Sequence, residues 1–216
     1  MKRPKLLDLF CGAGGCAKGY FDAGFDVVGV DIEPQPRYPF PMVVADALRP
    51  PLDLRNFDAI HASPPCQGYS RSRNNGCHPN APRLIGETRE LLERSGRPWV
   101  IENVPGAPMR FVFVICGASF NLGANGFDLS RHRWFESSEL ILCPPCEHKA
   151  GKTIGVYGNG TNKWHRTKFG RCITDAEKRE AMGIGWMNCK ELTQAIPPAY
   201  TKYIGEQLMR VVRPAT

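Results

Sequence analysis

The stretch KLLDLFCGAGG, residues 5–15, decides the fold of this chain. Residues 5–10 form a short apolar run that ends at glycines, which is typical of a buried parallel strand. Residues 16–23 have the spacing of a short helix, and Gly24 can terminate it. Glycines between a strand and a helix let the backbone approach a ligand closely. The stretch therefore predicts a strand, a ligand-binding turn and a helix in succession.

Alternating strands and helices continue beyond this turn. Residues 83–96 have helical periodicity and end at a glycine. Four further apolar runs are predicted strands, and they occupy residues 26–32, 41–48, 57–65 and 98–104. Such alternation predicts an α/β fold with an open, mostly parallel sheet and flanking helices.

The C-terminal half is less regular. Residues 111–117 and 132–137 continue the strand-rich region, whereas residues 138–172 are rich in Gly, Lys, Pro and Cys and show little periodicity. Residues 174–184 open with a Thr-x-x-Glu capping box, which predicts a helix. Residues 196–212 predict a second helix that starts at prolines and packs back on the core.

Composition bounds the class of protein. The chain has 216 residues, of which 42% are hydrophobic, so we expect a single domain with a substantial core. No apolar run is long enough to span a bilayer, and no signal-peptide pattern opens the chain, so a cytoplasmic location is expected. Nine cysteines without a secretory signal argue against a disulfide framework. The net charge of +7 favours a polyanionic partner. We expect a monomer without an obligate protein partner.

Two aspartates follow the second and third predicted strands. Asp31 ends the second strand, where an acidic side chain can accept hydrogen bonds from ribose hydroxyls. Asp46 follows the third strand and could accept one from an adenine amino group. With the glycine turn, they predict a nucleoside cofactor at the carboxyl ends of the strands. The glycines at 12, 14, 15 and 19 do not follow the GxGxxG pattern, so a plain tight turn is the alternative.

The stretch SPPCQGYSRS, residues 63–72, places a thiol on a stiff support. Pro64 and Pro65 restrict the backbone because proline fixes its own φ angle and lacks an N–H. Cys66 directly after them is predicted to be a nucleophile held at a fixed angle. The alternative is a turn that happens to contain a cysteine.

A carboxylic acid is expected beside this thiol. Glu102 opens ENV, residues 102–104, which follows the fifth predicted strand as Cys66 follows the fourth. A thiolate is the reactive form, and positive charge from Arg71 or Arg73 could lower the pKa of Cys66. A thiol, an acid and a cofactor at one sheet edge together predict a catalytic site.

Four segments carry a family resemblance, and in chain order they are DLFCGAGG (8–15), PPCQGYS (64–70), ENV (102–104) and RHRWFE (131–136). Together they resemble the motifs of the cytosine-C5 DNA methyltransferase family. The matching motifs run from about residue 6 to 136, with a weaker match from about 174 to the C-terminus. The resemblance implies one Rossmann-like class I S-adenosylmethionine-dependent methyltransferase domain over residues 1–216. It also implies S-adenosylmethionine as the cofactor and double-stranded DNA as the partner.

The resemblance also implies a role for each matching residue. Cys66 would add to carbon 6 of a flipped-out cytosine, Glu102 would act on ring nitrogen 3, and Arg133 would contact the base oxygen, with Arg131 assisting. The implied cofactor-binding residues are Phe10, Gly12, Gly14, Asp31, Ile32, Asp46 and Pro64. The implied DNA-binding residues are Gln67, Ser70, Arg71 and Arg73.

Three other functions fit parts of this pattern. Cytosine-N4 amino-methyltransferases carry a similar Ser-Pro-Pro followed by an aromatic residue, but Cys66 in that position and the presence of Glu102 favour carbon-5 chemistry. Cytosine-C5 methylation of RNA would use the same residues. A catalytically silent DNA-binding module would not need Cys66, Glu102 and Arg133 together.

The chain departs from the family pattern at several positions. Ser63 replaces a usual glycine, Tyr69 replaces a more common Phe or Trp-like residue, and Glu206 stands where the late motif normally has asparagine. The interval between Arg133 and Thr174 is short, so residues 138–172 are predicted to be a reduced target-recognition insertion, as in compact phage members of the family. A short or relaxed target sequence follows from so few residues. Five basic residues here could contact phosphates or be solvated charges: Lys149, Lys152, Lys163, Arg166 and Lys168.

Cysteines and histidines in the same region raise a metal question. CPPCEH, residues 143–148, could supply zinc ligands from Cys143, Cys146 and His148, with Cys172 as a fourth. No second clean pair accompanies them, so reduced cysteines without a metal are the favoured interpretation. Cys77 and His78 are a weaker pair. His132 could contact DNA or form a structural hydrogen bond.

Overall fold

The computed structural model describes residues 2–70, 80–148, 152–158 and 161–213. Ten strands occur in this part of the chain: β1 (Lys5–Leu9), β2 (Asp26–Asp31), β3 (Met42–Val44), β4 (Ala59–Ala62), β5 (Trp99–Asn103), β6 (Phe113–Ile115), β7 (Gly123–Ala124), β8 (Phe127–Leu129), β9 (Arg133–Ser137) and β10 (Thr153–Ile154). Six α-helices accompany them: α1 (Gly15–Asp22), α2 (Ile85–Ser95), α3 (Thr161–Phe169), α4 (Asp175–Met182), α5 (Cys189–Gln194) and α6 (Pro198–Val212).

Seven of these strands form the central sheet, in the order β3-β2-β1-β4-β5-β9-β6. β1 lies inside the sheet and pairs in parallel with β2 and with β4, so Leu7 is opposite both Val28 and Ile60. Within this sheet as described, β9 alone runs antiparallel to its neighbours β5 and β6. The mostly parallel α/β fold predicted from the sequence is therefore confirmed.

Alternation along the strands builds a core on each face of the sheet. Leu6 and Val100 point to one face, where α1 and α6 cover them with Tyr20 and Ile204. The residues next in sequence point to the other face and pack against Leu92 of α2; they include Leu7, Ile60 and Ile101. Because both faces are covered, the strands read as continuous apolar runs.

The predicted strands are shortened where polar side chains bind the backbone. Residues 41–48 were expected to be extended throughout, but β3 ends at Val44. The Oδ1 atom of Asp46 accepts a hydrogen bond from Leu48 N at 2.9 Å and turns the chain there. Tertiary pairing sets the other strand ends, which periodicity alone cannot locate.

Helix α6 packs directly on α1, as expected for the C-terminal segment. A Cβ atom on Gly19 would lie 2.1 Å from Thr201 Oγ1, so only glycine allows the two helices to approach this closely. The Thr201 hydroxyl donates to Cys16 O at 2.9 Å. α6 is 15 residues long. No helix in the described part of the chain combines the length and apolarity needed to span a bilayer.

A second, three-stranded sheet has the order β10-β8-β7. Its core contains Leu129, Ile154, Met182 and Leu192, so it packs against α4 and α5. The irregularity predicted for residues 138–172 is wrong at two places, since β10 and α3 lie there. β10 is two residues long and is defined by pairing with β8, and α3 carries a polar sequence, TNKWHRTKF, with a weak apolar stripe. Neither element has a strong periodic signal.

Candidate active site

The glycine turn after β1 is held by the aspartate at the end of β2. Gly12 N donates to Asp31 Oδ2 at 2.9 Å, and Asp31 Oδ1 accepts from Glu33 N at 3.1 Å. Gly12 has a positive φ of 49°, and a Cβ atom there would have no neighbour within 4 Å. Asp31 therefore holds the turn in place through its hydrogen bond to Gly12 N, and no side chain separates the backbone of Gly12 from the open space beside it.

That open space is a cleft of about 480 Å³ at the carboxyl ends of the central strands. This is within the usual size range of small-molecule sites. Ten residues predicted from the sequence line it: Phe10, Gly12, Asp31, Ile32, Asp46, Pro64, Cys66, Gln67, Glu102 and Arg133. The structure thus gathers residues from six separate segments of the chain into one cleft.

Of the five other predicted site residues, Gly14, Ser70 and Arg131 do not line the cleft. A Cβ atom on Gly14 would lie 2.8 Å from the Pro39 ring and 2.9 Å from that of Tyr38, so Gly14 allows close packing rather than facing the cleft. Ser70 N donates to Cys66 O at 3.0 Å within the loop that follows β4. Arg71 and Arg73 lie outside the described residues.

Arg131 is a buried structural residue in this arrangement. Its guanidinium donates to Thr193 O at 2.9 Å and to Ala195 O at 2.6 Å, and also to Val156 O. Burial, with the neighbouring charge of Arg133, lowers the pKa of Arg131 to about 9. The assisting catalytic role predicted for Arg131 is not what its contacts favour, because its donors are occupied by backbone carbonyl groups.

Glu102 and Arg133 form a buried ion pair. Arg133 Nε lies 3.2 Å from Glu102 Oε1, and the two side chains are 9% and 8% exposed. Glu102 on β5 is opposite Phe135 on β9, and Arg133 is two residues from Phe135. Both side chains therefore leave the same face of the sheet as diagonal neighbours. The strand register alone brings these two distant residues together.

Burial governs the titration of the thiol and the acid. It raises the pKa of Glu102, although the positive charges of Arg133 and Arg131 oppose it. It also raises the pKa of Cys66, and the negative charge of Glu102 adds to this, again against Arg133. Arg71 and Arg73, which the sequence suggested could lower the pKa of Cys66, lie outside the described residues. Among the described residues, desolvation outweighs the charges of Arg133 and Arg131.

Hydrogen bonds join the loop that carries Cys66 to two neighbouring strands, β1 and β5. Ser63 N donates to Leu9 O of β1 at 3.1 Å, and Asn103 Nδ2 of β5 donates to Pro64 O at 2.9 Å. Two backbone N–H groups, from Tyr69 and Ser70, donate to Cys66 O at 3.0 Å. The proline platform is therefore tied to the strands on either side of β4.

A buried polar chain lies behind this loop, and sequence reasoning missed it. The Tyr20 hydroxyl is 3.0 Å from His61 Nδ1, and His61 Nε2 is 2.9 Å from Ser63 Oγ. Burial lowers the pKa of His61 to about 3, so the imidazole is neutral. Ser63, which stands where the family usually has glycine, is the last member of this series of hydrogen-bonded side chains. The Ser63 hydroxyl also opposes the rise in the pKa of Glu102.

Asp8 was also missed as a site residue. It lies on β1, lines the cleft and is fully buried, and neither carboxyl oxygen has a hydrogen-bond partner of normal geometry among the described residues. Burial and the charge of Asp31 raise the pKa of Asp8 well above its usual range. The sequence did carry a signal for Asp8. Side chains alternate along β1, so Asp8 lies on the same face of the sheet as the buried Leu6, where a charged residue is unexpected.

The far wall of the cleft comes from the segment before α6. Its residues include Met187, Glu191, Thr193 and Ile196. Glu206, the departure in the late motif, is on the exposed side of α6, with its carboxylate 3.9 Å from Lys202 Nζ. It does not line the cleft.

The structure places most of the basic residues and cysteines that were singled out in residues 138–172. Arg166 Nη2 donates to Cys172 Sγ at 3.1 Å, and Lys152 Nζ lies 5.9 Å from the Phe127 ring centre. Lys163 and Lys168 are exposed, and Lys149 lies outside the described residues, as do Cys77 and His78. Cys146 and His148 approach each other, but Cys143 and Cys172 do not join them.

The sheet order and the cleft at its carboxyl edge define a Rossmann-like class I S-adenosylmethionine-dependent methyltransferase fold. Solved structures share it. The Dnmt2 methyltransferase of S. pombe has a TM-score of 0.63 and 13% identity, over 98% of this chain and 100% of that one. The methyltransferase EhMeth of Entamoeba histolytica has a TM-score of 0.61 and 14% identity, over 99% and 100%.

The model of the C-5 cytosine-specific DNA methylase family matches residues 4–108 of this chain. A relative in Xanthomonas oryzae pv. oryzae, the type II methyltransferase M.XorII, is 33% identical over 124 residues. That match covers 49% of this chain and 29% of the relative. Residues 4–108, which the family model matches, contain β1 to β5 and therefore the glycine turn, Cys66 and Glu102.

Proposed function

We propose that this protein transfers a methyl group from S-adenosylmethionine to carbon 5 of cytosine in double-stranded DNA. The observation that carries the proposal is the convergence of Cys66, Glu102 and Arg133 on one cleft beside the glycine turn. A nucleophile, a buried acid and a cation at one sheet edge are the groups that carbon-5 chemistry needs. The match of residues 4–108 to the C-5 cytosine-specific DNA methylase model supports the same reaction.

The residues of the cleft fit the cofactor. S-adenosylmethionine is cationic at its sulfonium and amino groups, and when bound it supplies an electrophilic methyl group. The unpartnered, buried carboxyl group of Asp8 lines the cleft and matches a cationic ligand. Gly12 leaves room for close approach, and Asp31 and Asp46 supply acceptors for ribose and adenine donors. Phe10, Ile32 and Pro64 would provide apolar walls.

Cys66 would begin the chemistry on the cytosine. Carbon 5 of cytosine is a weak nucleophile, and addition of the Cys66 thiolate to carbon 6 makes it an enamine carbon. Because burial raises the pKa of Cys66, the thiol proton must pass to water as the sulfur adds, and the positive charge of Arg133 favours the thiolate. Once carbon 5 is methylated, loss of its proton breaks the carbon–sulfur bond and regenerates Cys66.

Glu102 and Arg133 would stabilise the charge that develops on the ring. The raised pKa of Glu102 favours its protonated form, which can donate to ring nitrogen 3 as Cys66 adds. Arg133 would hold Glu102 in place through their ion pair and donate to the base oxygen. These interactions strengthen in the transition state, so they would accelerate the addition.

The depth of the site requires the base to leave the DNA stack. Cys66 is half-buried in the cleft, and a stacked cytosine cannot reach it. Gln67, Ser70, Arg71 and Arg73 follow Cys66 in the chain and are proposed to contact the DNA around the flipped base. The net charge of +7 supports binding to the phosphate backbone. The short interval at 138–172 supports a short or relaxed target sequence.

The test is a transfer assay with separate nucleic-acid pools. The protein is incubated with methyl-labelled cofactor and with DNA or RNA, and the modified nucleosides are identified by mass spectrometry. Cys66→Ala and Cys143→Ser are run in parallel, because Cys143 is exposed and lies outside the cleft. We expect 5-methylcytosine in DNA from the wild type and Cys143→Ser only.

Each other outcome overturns a part of the proposal. 5-methylcytosine in RNA alone would make the substrate RNA. Cofactor and DNA binding without any methylated product would make the protein a silent binding module. Methylation at the cytosine amino group would replace the carbon-5 chemistry.

A further inference from the structure

Four side chains outside the cleft converge at one end of the β6–β9 pair. They are Cys116, His132, Cys146 and His148, and the ligand atoms of all four lie within 4.8 Å of one another. Ile115 is opposite Arg133 in the antiparallel register, so Cys116 and His132, the next residues outward, are neighbours across the two strands. Cys146 and His148 arrive from the irregular segment after β9.

The separations match those of a tetrahedral metal site. Cys116 Sγ is 3.8 Å from His132 Nδ1 and 3.7 Å from His148 Nε2. Cys146 Sγ is 3.4 Å from His132 Nε2 and 3.6 Å from His148 Nε2. With zinc–sulfur and zinc–nitrogen bonds of about 2.3 and 2.0–2.1 Å, tetrahedral angles place sulfur and nitrogen about 3.6 Å apart. With His132 as a ligand through Nε2, the three separations measured to an Nε2 atom belong to one ligand set, and all three lie close to this value. The Nδ1 atom of His132 faces Cys116 at 3.8 Å.

We propose that Cys116, His132, Cys146 and His148 bind one structural Zn²⁺ ion. Two thiolates and two imidazoles in a tetrahedral arrangement are the donor set that selects zinc among common metals. Four protein ligands leave no open coordination position, so the ion would not activate water or substrate. The inference does not depend on the methyl-transfer activity proposed above.

The converging residues differ in part from those that spacing suggested. Spacing suggested Cys143 and Cys172 beside Cys146 and His148, whereas two of the four converging residues precede the CPPCEH segment by 11 residues or more in the chain. Cys172 is instead in contact with Arg166, and Cys143 is exposed. Only the pairing of β6 with β9 brings Cys116 and His132 together.

The position of the ion implies what it would stabilise. Residues 143–148 have no regular secondary structure, and Leu142 just before them is held on α6 through Gln207. A zinc ion would fasten this segment to the start of β9. His132 directly precedes Arg133, so the ion would also fix the backbone next to the Glu102–Arg133 pair.

A disulfide between Cys116 and Cys146 is the competing arrangement, and both thiols are free in this structure. The two imidazoles converge on the sulfur atoms, which a disulfide would not require. The experiment below separates these arrangements.

The test measures metal in untagged full-length protein, purified under reducing conditions without chelator. Elemental analysis by mass spectrometry is expected to find about one zinc per chain. Cys146→Ser and His148→Ala are expected to lose it, and the matched control Cys143→Ser to keep it. Replacement of zinc with Co²⁺ in the wild type should give the ligand-field bands of a tetrahedral site and a thiolate-to-cobalt charge-transfer band. This spectrum needs no variant, so it keeps the test valid if a variant fails to fold.

Three results would overturn the proposal. The first is a wild-type protein that retains no zinc after incubation with Zn²⁺ and removal of the excess. The second is equal zinc in Cys146→Ser and the wild type, or equal loss in Cys143→Ser. The third is a Cys116–Cys146 disulfide, found by peptide mass spectrometry, in freshly purified protein.

Discussion

Arg133 Nε lies 3.2 Å from Glu102 Oε1 although the residues are 31 positions apart, because β9 returns antiparallel beside β5. The pair is buried, so the carboxyl group of Glu102 is shielded from water and its pKa is raised, while Arg133 restrains the rise. A raised pKa favours the protonated form of Glu102, which the proposed mechanism uses as a proton donor. The proposed chemistry depends on it.

Replacement of Glu102 should remove the acid while preserving the shape. We expect Glu102→Gln to lower the single-turnover rate of methyl transfer by about 10²–10⁴-fold, because the amide cannot transfer a proton to ring nitrogen 3. Cofactor affinity, measured by calorimetry, should change little. Glu90→Gln on the exposed side of α2 is the control and should match the wild-type rate. An unchanged rate in Glu102→Gln would remove Glu102 from the mechanism.

Arg131 and Arg133 should differ in what their replacement damages. Arg133→Lys cannot reproduce the guanidinium geometry at Glu102, so transfer should fall sharply while the protein stays folded. Arg131→Lys should lower the free energy of unfolding by at least about 2 kcal/mol, because buried carbonyls lose their donors. Urea denaturation and transfer rates of both variants check this. The opposite pattern would make Arg131 the catalytic arginine.

A second buried ion pair joins α2 to β9 and should govern stability rather than catalysis. Arg89 donates to both carboxylate oxygens of Glu136, at 2.6 and 2.8 Å. Glu136→Gln leaves the Arg89 charge buried without a partner, so we expect the free energy of unfolding to fall by about 3–5 kcal/mol. Glu90→Gln breaks an exposed pair on the same helix and should cost less than about 1 kcal/mol. Equal effects in urea denaturation would contradict this account.

The start of α4 should make stability depend on acid pH. Arg171 Nη2 donates to Glu177 Oε1 at 2.7 Å, and the Thr174 backbone N–H donates to Oε2 at 2.8 Å. The Arg171 hydrogen bond, with those from Thr174 and Asn125, lowers the pKa of Glu177 to about 2. A lowered folded-state pKa stabilises the fold above the ordinary glutamate value of about 4.3, and this stabilisation is lost as pH falls toward 2.

The measurement compares the wild type with Glu177→Gln in urea at a series of pH values. The difference in unfolding free energy should be full above about pH 5 and should shrink as the pH falls. Glu180→Gln, on the exposed side of the same helix, should show no such trend. A difference that does not vary with pH would exclude the ionic origin.

The fold was predictable where one segment carries its own signal. The apolar run before the glycines of residues 12–15 predicted β1, and the Thr174 capping box predicted α4. The second sheet was not predictable, because β7 and β10 have two residues each and exist only through pairing with β8. Periodicity needs several residues to be visible, and pairing partners are not encoded locally.

The candidate site was predictable where residues follow strand ends. Cys66 and Glu102 could be placed at one sheet edge because β4 and β5 are parallel neighbours. The raised pKa of Cys66 and the hydrogen bonds from Arg131 to backbone carbonyls could not be predicted from the sequence, since both depend on burial. The hydrogen-bonded series Tyr20–His61–Ser63 joins a helix, a strand and a loop, so no single segment of the sequence predicts it.

The central claim is that Cys66 bonds to carbon 6 of the cytosine during transfer. Release of Cys66 requires loss of the carbon-5 proton, so fluorine at carbon 5 should stop the reaction after methyl transfer, with the carbon–sulfur bond intact. A duplex containing 5-fluorocytosine is incubated with the protein and S-adenosylmethionine, and the denatured products are digested and analysed by mass spectrometry. We predict a methylated nucleotide adduct on the Cys66 peptide that needs the cofactor and is absent from Cys66→Ser. Methylation of ordinary cytosine without any adduct on the fluorinated duplex, or an adduct on another residue, would contradict the account.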